Sequence, residues 1–416
     1  MTPAAVPLRT PLRGGVLLAV FALTPPMAYL GPLGFAALVA AAGLLLAFSW
    51  TGRRPAWFAG LLLAALTLWA VGAYGWSAAR PRGFGAYGDL EQLTALKLVL
   101  QLGLYGAFVA AAAQVSGRAS ERALRILSWG LFGLAVVLVV ESFSGAAAYQ
   151  LLKRTFEEPI RPDLAVRNVG QGAVVLALLA PAALLWLSRR RPWAAYGIVL
   201  AVIIASLMLG QAAPLAAFIF GGLAAAAVWR FGRFGAMGVG AVLVLLVLAA
   251  PWLVDALQRG GGLQSIASLL PRSWEARLVI WPYVADRVLD HPWLGWGLDA
   301  SRLAGGPVPL HPHNAALQIW LELGAVGAAL FAMVWGWAFS TIAAVAREDR
   351  AGAAACAAAA GGYFTIGALS FGVWQEWWLA LGALTAAVCG VMLAARRRER
   401  LAEPPRALHD DELTPL

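Results

Sequence analysis

Long apolar stretches recur along almost the whole chain, and they restrict the possible folds more than any other feature of the sequence. Only 12% of the residues are charged, whereas a soluble protein carries about 25% charged residues. Because a membrane-spanning helix needs about 20 apolar residues, we predict an all-α, polytopic integral membrane protein with about twelve transmembrane helices. The predicted spans are 14–30, 33–50, 55–77, 94–115, 124–147, 169–188, 193–210, 212–229, 235–254, 314–341, 352–372 and 377–395.

Basic residues between the spans indicate how the chain is oriented. Nineteen of the 31 Lys and Arg residues fall on one predicted face, mostly in short loops, where Lys- and Arg-rich segments are cytoplasmic. An even number of spans then places both termini in the cytoplasm. The net charge of +10 is therefore an orientation signal and does not indicate nucleic-acid binding. We predict one transmembrane domain over residues 1–395 and a disordered cytoplasmic tail over 396–416.

Two substantial loops lie on the opposite, outward face, at about 148–168 and 255–313. Loops longer than about 15 residues between packed elements are usually functional or disordered. Both loops are rich in Arg, Trp, Pro and Gly rather than low in complexity, so we expect a functional site on this face.

A histidine stands at the end of the second loop, directly before the tenth span. His313 and Asn314 are followed after nine residues by Gly324 and then, three positions on, by Gly327. On a helix that turns about 100° per residue, both glycines share the face of His313 and let another helix approach closely beneath it. Glu322 points to the opposite side and, as an intramembrane carboxylate, requires a polar partner. The alternative interpretation is an interfacial histidine that caps a helix.

Arginines in the two outward loops form the second group of candidate site residues. Arg277 and Trp281 are four residues apart and share a face if that segment is helical. Arg161, Arg167 and Arg272 also belong to these loops. A guanidinium stays charged and matches phosphate oxygens with two parallel hydrogen bonds, which suits a lipid-linked phosphate or diphosphate. The alternatives are ordinary loop charges paired with nearby carboxylates, or binding of anionic lipid headgroups.

Several common catalytic motifs are missing from the sequence. It contains no Walker A motif, no His-Glu-x-x-His, no Asp-x-Asp in an outward loop and no Gly-x-Ser-x-Gly. His311 and His313 are two residues apart and face different ways on a helix. Cys356 and Cys389 lie inside apolar runs, which excludes a disulfide framework and a cysteine zinc site. We therefore expect no metal and no cofactor, and an enzyme of this kind would use a metal-free base and cationic phosphate clamps.

The motif His-Pro-His-Asn-x-x-Leu-Gln-x-x-x-Glu-x-Gly-x-x-Gly at 311–327 resembles the signature of the O-antigen ligase/polymerase superfamily. The upstream Arg277-x-x-x-Trp281 and the Pro-x-x-Gly-x-Gly segment at 292–297 are similar to that family's long periplasmic loop. The resemblance implies a GT-C-type glycosyltransferase in the bacterial inner membrane, with its active site on the periplasmic face. An O-antigen ligase, which moves a glycan from undecaprenyl diphosphate to a sugar hydroxyl of lipid A–core, is favoured. A polymerase that uses a second lipid-linked repeat as acceptor and a protein-glycosylating transferase are the alternatives within the family.

The resemblance and the chemistry of the residues together suggest roles. His313 is the candidate general base for the acceptor hydroxyl, because imidazole titrates near neutral pH. Arg277 and Arg167 are expected to hold the diphosphate, with Arg161 and Arg272 as second choices. The expected partners are the undecaprenyl-diphosphate-linked glycan, the lipid A–core acceptor and membrane lipids. The competing classes are a transporter or flippase of lipid-linked sugar, and a structural membrane subunit. The supporting residues are Asn314, Gly324, Gly327 and Trp281.

Overall fold

The computed structural model describes residues 9–47, 57–80, 93–267 and 274–402, and within these ranges the regular secondary structure is helical. In chain order the helices are α1 (Arg9–Leu30), α2 (Gly34–Ala47), α3 (Trp57–Ala73), α4 (Thr94–Ala112), α5 (Arg118–Ser144), α6 (Ala147–Phe156), α7 (Pro162–Leu187), α8 (Pro192–Met208), α9 (Ala212–Phe231), α10 (Arg233–Arg259), α11 (Gly262–Ala267), α12 (Glu275–Asp290), α13 (Ala315–Val345), α14 (Arg350–Leu369) and α15 (Glu376–Ala402). A short 3-10 helix, Ala300–Leu303, lies between α12 and α13.

Each predicted span corresponds to one of these helices. Among the described residues, nine helices are long and apolar enough to cross a membrane: α1, α4, α5, α7, α9, α10, α13, α14 and α15. The other three predicted spans correspond to the shorter apolar helices α2, α3 and α8, which have 14, 17 and 17 residues. The predicted ends of the second and third spans, at 48–50 and 55–56, lie outside the described residues. The prediction of an all-α, polytopic membrane protein is confirmed.

Ion pairs join several of the predicted cytoplasmic segments at one end of the helix bundle. Arg396 binds Asp349 through two guanidinium nitrogens, each 2.7 Å from a carboxylate oxygen. Arg398 pairs with Glu121 at the start of α5. Since α13 begins two residues after His313 and ends just before the turn that contains Asp349, this charged end lies opposite to the candidate histidine.

The first part of the predicted tail is ordered. Helix α15 continues to Ala402, and Arg396 is 8% exposed. The prediction of disorder is therefore wrong for residues 396–402, because their arginines pair with carboxylates on neighbouring segments. Residues 403–416 lie outside the described residues.

The predicted outward loops contain helices of their own. Helix α6 lies in the first loop, and α12, in the second, carries Arg277 and Trp281, so the condition under which these two residues share a face is met. Helix α7 begins at Pro162, and nearly all its residues after Val169 are buried, as expected for a central helix that is apolar all round. Its first turns place Arg167 at the end of the bundle that is predicted to face outward.

Candidate active site

His313 lies two residues before α13, at the end of the long loop predicted at 255–313. Its φ angle is +57°, a left-handed conformation that non-glycine residues rarely adopt. The next residue, Asn314, caps the helix through its side-chain oxygen, which accepts a hydrogen bond from the Leu317 N–H at 3.0 Å. Asn is a preferred residue at this position. The capping role therefore belongs to Asn314, and His313 is held outside the helix.

A backbone carbonyl between α14 and α15 determines which nitrogen of His313 carries the proton. His313 Nδ1 lies 2.7 Å from the carbonyl oxygen of Ser370. Because a carbonyl only accepts hydrogen bonds, Nδ1 carries the proton and the neutral ring keeps its lone pair on Nε2. Burial lowers the pKa of His313, as do the positive charges of Arg277 and Arg167, while the bond to Ser370 opposes them. The ring is thus neutral near pH 7 and can accept a proton on Nε2.

His311 packs against His313 and was not among the predicted site residues. The two ring centroids are 4.3 Å apart, and the His313 backbone N–H donates to His311 Nδ1 at 3.2 Å. Burial lowers the pKa of His311 to about 4, and the positive charges around the ring make a smaller contribution in the same direction. On a helix the two rings would face different ways, but both residues precede α13, so this restriction does not apply to them. Their His-x-His spacing was the sequence signal for this pair.

Two of the four predicted phosphate-binding arginines lie near His313. Arg277 is half-buried on α12, and this burial lowers the pKa of its guanidinium. Arg167 is exposed on α7, and its charge acts on His313 together with that of Arg277. Trp281, one turn after Arg277, donates from Nε1 to the Pro312 carbonyl at 3.0 Å, which ties α12 to the segment before His313. Three distant parts of the sequence therefore converge at this site.

The other two predicted arginines are not placed in this cluster. Arg161 is exposed and pairs with Asp163 at 2.5 Å, which matches the alternative of an ordinary loop charge. Arg272 lies outside the described residues. The described cationic groups that act on His313 are thus Arg277 and Arg167.

Helix α13 is interrupted at Gly324, although the sequence analysis assumed a regular helix. Gly324 has φ +62° and ψ −161°, a combination essentially restricted to glycine. A Cβ at this position would lie 2.4 Å from the carbonyl oxygen of Trp293, so the glycine admits a loop rather than another helix. The prediction that Gly324 and Gly327 share a helical face with His313 is therefore wrong. His313 precedes the helix, and the helix breaks before it reaches Gly327.

The loop that packs against this break, residues 292–297, and Trp69 on α3 supply hydrogen bonds in place of those that a regular helix would have made. An unsatisfied backbone group in a membrane costs several kcal/mol, so a break is tolerated only where such partners exist. Four bonds of 2.8 to 3.0 Å cross the break. They run from Trp296 N–H to the Leu321 carbonyl, from Gly297 N–H to the Glu322 carbonyl, from Ala325 N–H to the Pro292 carbonyl, and from Trp69 Nε1–H to the Leu323 carbonyl.

The central part of this site matches a known family. Residues 207–332 match the family described as O-antigen ligase. The matched range contains Arg277, Trp281 and His313, together with the whole motif at 311–327, whereas Arg167 precedes it. The match thus runs from the end of α8 to a point in α13 beyond its break at Gly324.

Curated proteins from three bacteria are similar to part of this chain. Two proteins named "Putative polysaccharide ligase", from Rickettsia conorii and Rickettsia prowazekii, are each 36% identical to it over 121 residues. A third, from Rickettsia typhi, is 35% identical over 121 residues. Each alignment covers 26% of this chain and 29% of the relative, so the chain spans under a third of the length of these relatives. The resemblance carried by the motif at 311–327 is therefore confirmed, since residues 207–332, which contain this motif, match the O-antigen ligase family.

Proposed function

We propose that this protein is a membrane glycosyltransferase of the O-antigen ligase type, which transfers a glycan from undecaprenyl diphosphate to a sugar hydroxyl of lipid A–core in lipopolysaccharide biosynthesis. The geometry of His313 carries the proposal: Nδ1 bonds the Ser370 carbonyl at 2.7 Å, and the charges of Arg277 and Arg167 act on the ring. A neutral base beside two cations suits transfer from a diphosphate to a hydroxyl. The family match and the ligase names of the relatives support this reaction class.

In the proposed reaction, His313 Nε2 accepts the proton of the acceptor hydroxyl as its oxygen attacks the anomeric carbon of the donor glycan. The bond between that carbon and the diphosphate oxygen breaks, and undecaprenyl diphosphate leaves with the bonding electrons. Direct displacement inverts the anomeric configuration. Proton transfer of this kind typically contributes about 10²- to 10⁴-fold to a rate.

Arg277 and Arg167 are the proposed diphosphate ligands. They lie on α12 and α7, and the charges of both act on His313. Guanidinium groups stabilise the negative charge that grows on the leaving phosphate. Arg161 is a weaker candidate because it already pairs with Asp163.

The proposed site lies at the periplasmic face of the bacterial inner membrane, with both termini in the cytoplasm. This placement rests on the nineteen basic residues predicted for the opposite face. The ion pairs of Arg396 and Arg398 at the far end of the bundle support a common location for several of those segments. Reaction at the outer surface would give a lipid-anchored donor and a lipid-anchored acceptor access to one site.

The proposal is tested by supplying purified protein in detergent with undecaprenyl-diphosphate glycan and either lipid A–core or a second lipid-linked repeat. We expect glycosylated lipid A–core in the presence of a chelator, with inverted linkage at the new bond. His313→Ala is expected to abolish transfer while binding of the donor, measured separately, survives.

Each other outcome has a definite meaning. Extension of the second lipid-linked repeat instead of lipid A–core would identify a polymerase. Full transfer by His313→Ala would contradict the general base, and loss of transfer in chelator would contradict a metal-independent reaction. A transporter would join no glycan in detergent, because transport needs two compartments.

A further inference from the structure

Glu322 is a fully buried carboxylate on α13, two residues before the break at Gly324. Its relative exposure is 0%, and its two oxygens accept four hydrogen bonds. A buried carboxylate with this many donors is strongly fixed in position. The donors are Ser301 Oγ at 2.6 Å and Gln318 Nε2 at 3.0 Å to Oε1, and Trp374 Nε1 at 2.6 Å and the Asp299 backbone N–H at 3.0 Å to Oε2.

Two of these bonds lead to the loop between α14 and α15, here called the 370–375 loop. Trp374 donates directly to Glu322. Gln318 donates to Glu322 with its amide nitrogen and accepts from the Val373 N–H at 2.9 Å with its amide oxygen. The carboxylate therefore holds two adjacent residues of the loop, one directly and one through Gln318.

The opposite end of the same loop touches the candidate base. The Ser370 carbonyl accepts from His313 Nδ1, and Gly372 lies against the ring of His311, where an added Cβ would come within 3.0 Å. Val373 follows Ser370 by three residues, so the anchored part of the loop and the carbonyl that selects the His313 tautomer belong to one short segment.

We propose that Glu322 is a positioning residue for His313: with Gln318 it anchors the 370–375 loop, so that the Ser370 carbonyl holds the proton on Nδ1 and leaves Nε2 as the base. The role of Nε2 rests on the proposed function, whereas the anchoring and the tautomer are independent of it. Glu322 acts through the loop and is not itself assigned a contact with substrate.

Glu322→Gln is an informative variant because it keeps the size of the side chain and changes its hydrogen bonding. If the new amide nitrogen faces Trp374, two donors oppose each other and that anchor is lost. If it faces Gln318, the amide of Gln318 must turn over to accept, and its bond to Val373 is lost. Either orientation removes one anchor of the 370–375 loop.

Glu141→Gln is the matched control. Glu141 is also buried, at 1% exposure, and it also accepts several hydrogen bonds. Its described donors belong to α1, α5 and α6 and not to the 370–375 loop; they are Tyr29, Ser144, Ala148 and Tyr149. Trp374→Phe is a milder second variant, since it keeps an aromatic ring and removes one N–H donor.

The tautomer is measured by ¹⁵N NMR of histidine-labelled protein at a pH where the ring is neutral. The chain has four histidines, so the His313 signals can be assigned by their disappearance in His313→Asn. We expect separate signals for a protonated Nδ1 and an unprotonated Nε2 in the wild type and in Glu141→Gln. In Glu322→Gln the two signals move toward each other, and in Trp374→Phe they do so less. Wild-type signals in both loop variants overturn the proposal, whether or not any transfer is detected.

The pH profile of transfer provides the second readout. Among the described residues, the charged and titratable groups that contact His313 or act on its charge are His311, Arg277 and Arg167, and none is altered in these variants. The bond to the Ser370 carbonyl raises the His313 pKa, so its loss moves the acidic limb of the profile to lower pH. We expect this shift in Glu322→Gln, with transfer about 10- to 100-fold lower, as for a misplaced catalytic group.

A purely structural role gives a different profile. It lowers the amount of active protein and leaves the acidic limb in place, as we expect for Glu141→Gln. A reduced rate with an unshifted limb in Glu322→Gln therefore contradicts positioning. Absence of transfer by the wild type would instead reject the proposed function, while the NMR result would still decide the anchoring.

Discussion

Replacing Gly324 with alanine should disrupt the backbone packing between α13 and the 292–297 loop. The backbone at this position has φ +62° and ψ −161°, which side chains beyond glycine essentially do not adopt. The added Cβ would also lie 2.4 Å from the Trp293 carbonyl oxygen and 2.7 Å from the Gly295 nitrogen. Both contacts are with backbone atoms, so no flexible side chain can move away to relieve them.

The magnitude follows from the backbone strain and from the bonds that the loop would lose. A residue forced into a sparsely populated conformation costs about 1–3 kcal/mol. Three backbone hydrogen bonds between the loop and α13 depend on the present distance, and each contributes about 1 kcal/mol. If all three are lost, Gly324→Ala destabilises the protein by about 4–6 kcal/mol, and at about 2 °C per kcal/mol the melting temperature falls by roughly 8–12 °C.

Unfolding can be followed in detergent with a thiol-reactive dye, because Cys356 is buried in α14. Gly336→Ala is the control on the same helix, since its Cβ would meet Val244 at an ordinary 3.5 Å. We expect the control to melt within about 2 °C of the wild type, as alanine is the better helix former. A Gly324→Ala protein that melts with the wild type would refute both the strain and the loop contact.

Four further outcomes concern the site. Arg277→Ala should reduce the rate of transfer by about 10²- to 10³-fold and weaken donor binding. Arg277→Lys should restore only part of the rate and of the donor affinity. Steady-state kinetics and a donor-binding assay would measure both effects. Arg167→Ala should resemble Arg277→Ala, whereas Arg161→Ala should change the rate by less than about twofold, because an exposed ion pair contributes little. Transfer should persist below pH 6.5 and be lost only as pH falls through the lowered pKa of His313, which a kcat/KM profile would locate. The pKa of His311 is 6.5 in the unfolded chain and about 4 in the folded protein. The free energy of unfolding should therefore fall by up to about 3 kcal/mol as the pH drops from 6.5 to 4. His311→Asn should flatten this pH dependence, as measured by thermal melts.

The bundle itself could be predicted from the sequence because a membrane leaves the backbone few options. A chain in lipid must satisfy its peptide groups internally, so each long apolar run becomes a helix. The boundaries of α4, α9 and α14 agree with the predicted spans to within a few residues. The first part of the tail was predicted wrongly because a run of arginines in a sequence is typical of a solvent-exposed segment. In the structure, Arg396 instead binds the carboxylate of Asp349 at the turn after α13.

The site could be predicted only in part. His313, Arg277 and Trp281 were identified from residue type and spacing, and the structure places them together. The Ser370 carbonyl could not have been identified, because every residue carries such a group and only the packing of α14 against α13 selects one. Gln318, four residues before Glu322 on an apolar helix, did offer a signal for a polar pair.

The break at Gly324 also explains why two glycine-containing segments occur together in this chain. A Cβ on Gly295 would lie 2.5 Å from the Glu322 carbonyl oxygen, and one on Gly324 would meet Trp293, so each glycine accommodates the backbone of the other segment. Neither segment alone satisfies its backbone in a membrane, since the carbonyls freed by the break need the N–H groups of the loop. The loop directly follows α12, and the break lies on α13, so their contact fixes the helix that carries Arg277 relative to the helix that His313 precedes. The spacing between His313 and Gly324 in the motif at 311–327 is therefore set by this contact between the loop and the break. The distance between His313, the proposed base, and Arg277, a proposed phosphate ligand, depends on the same contact.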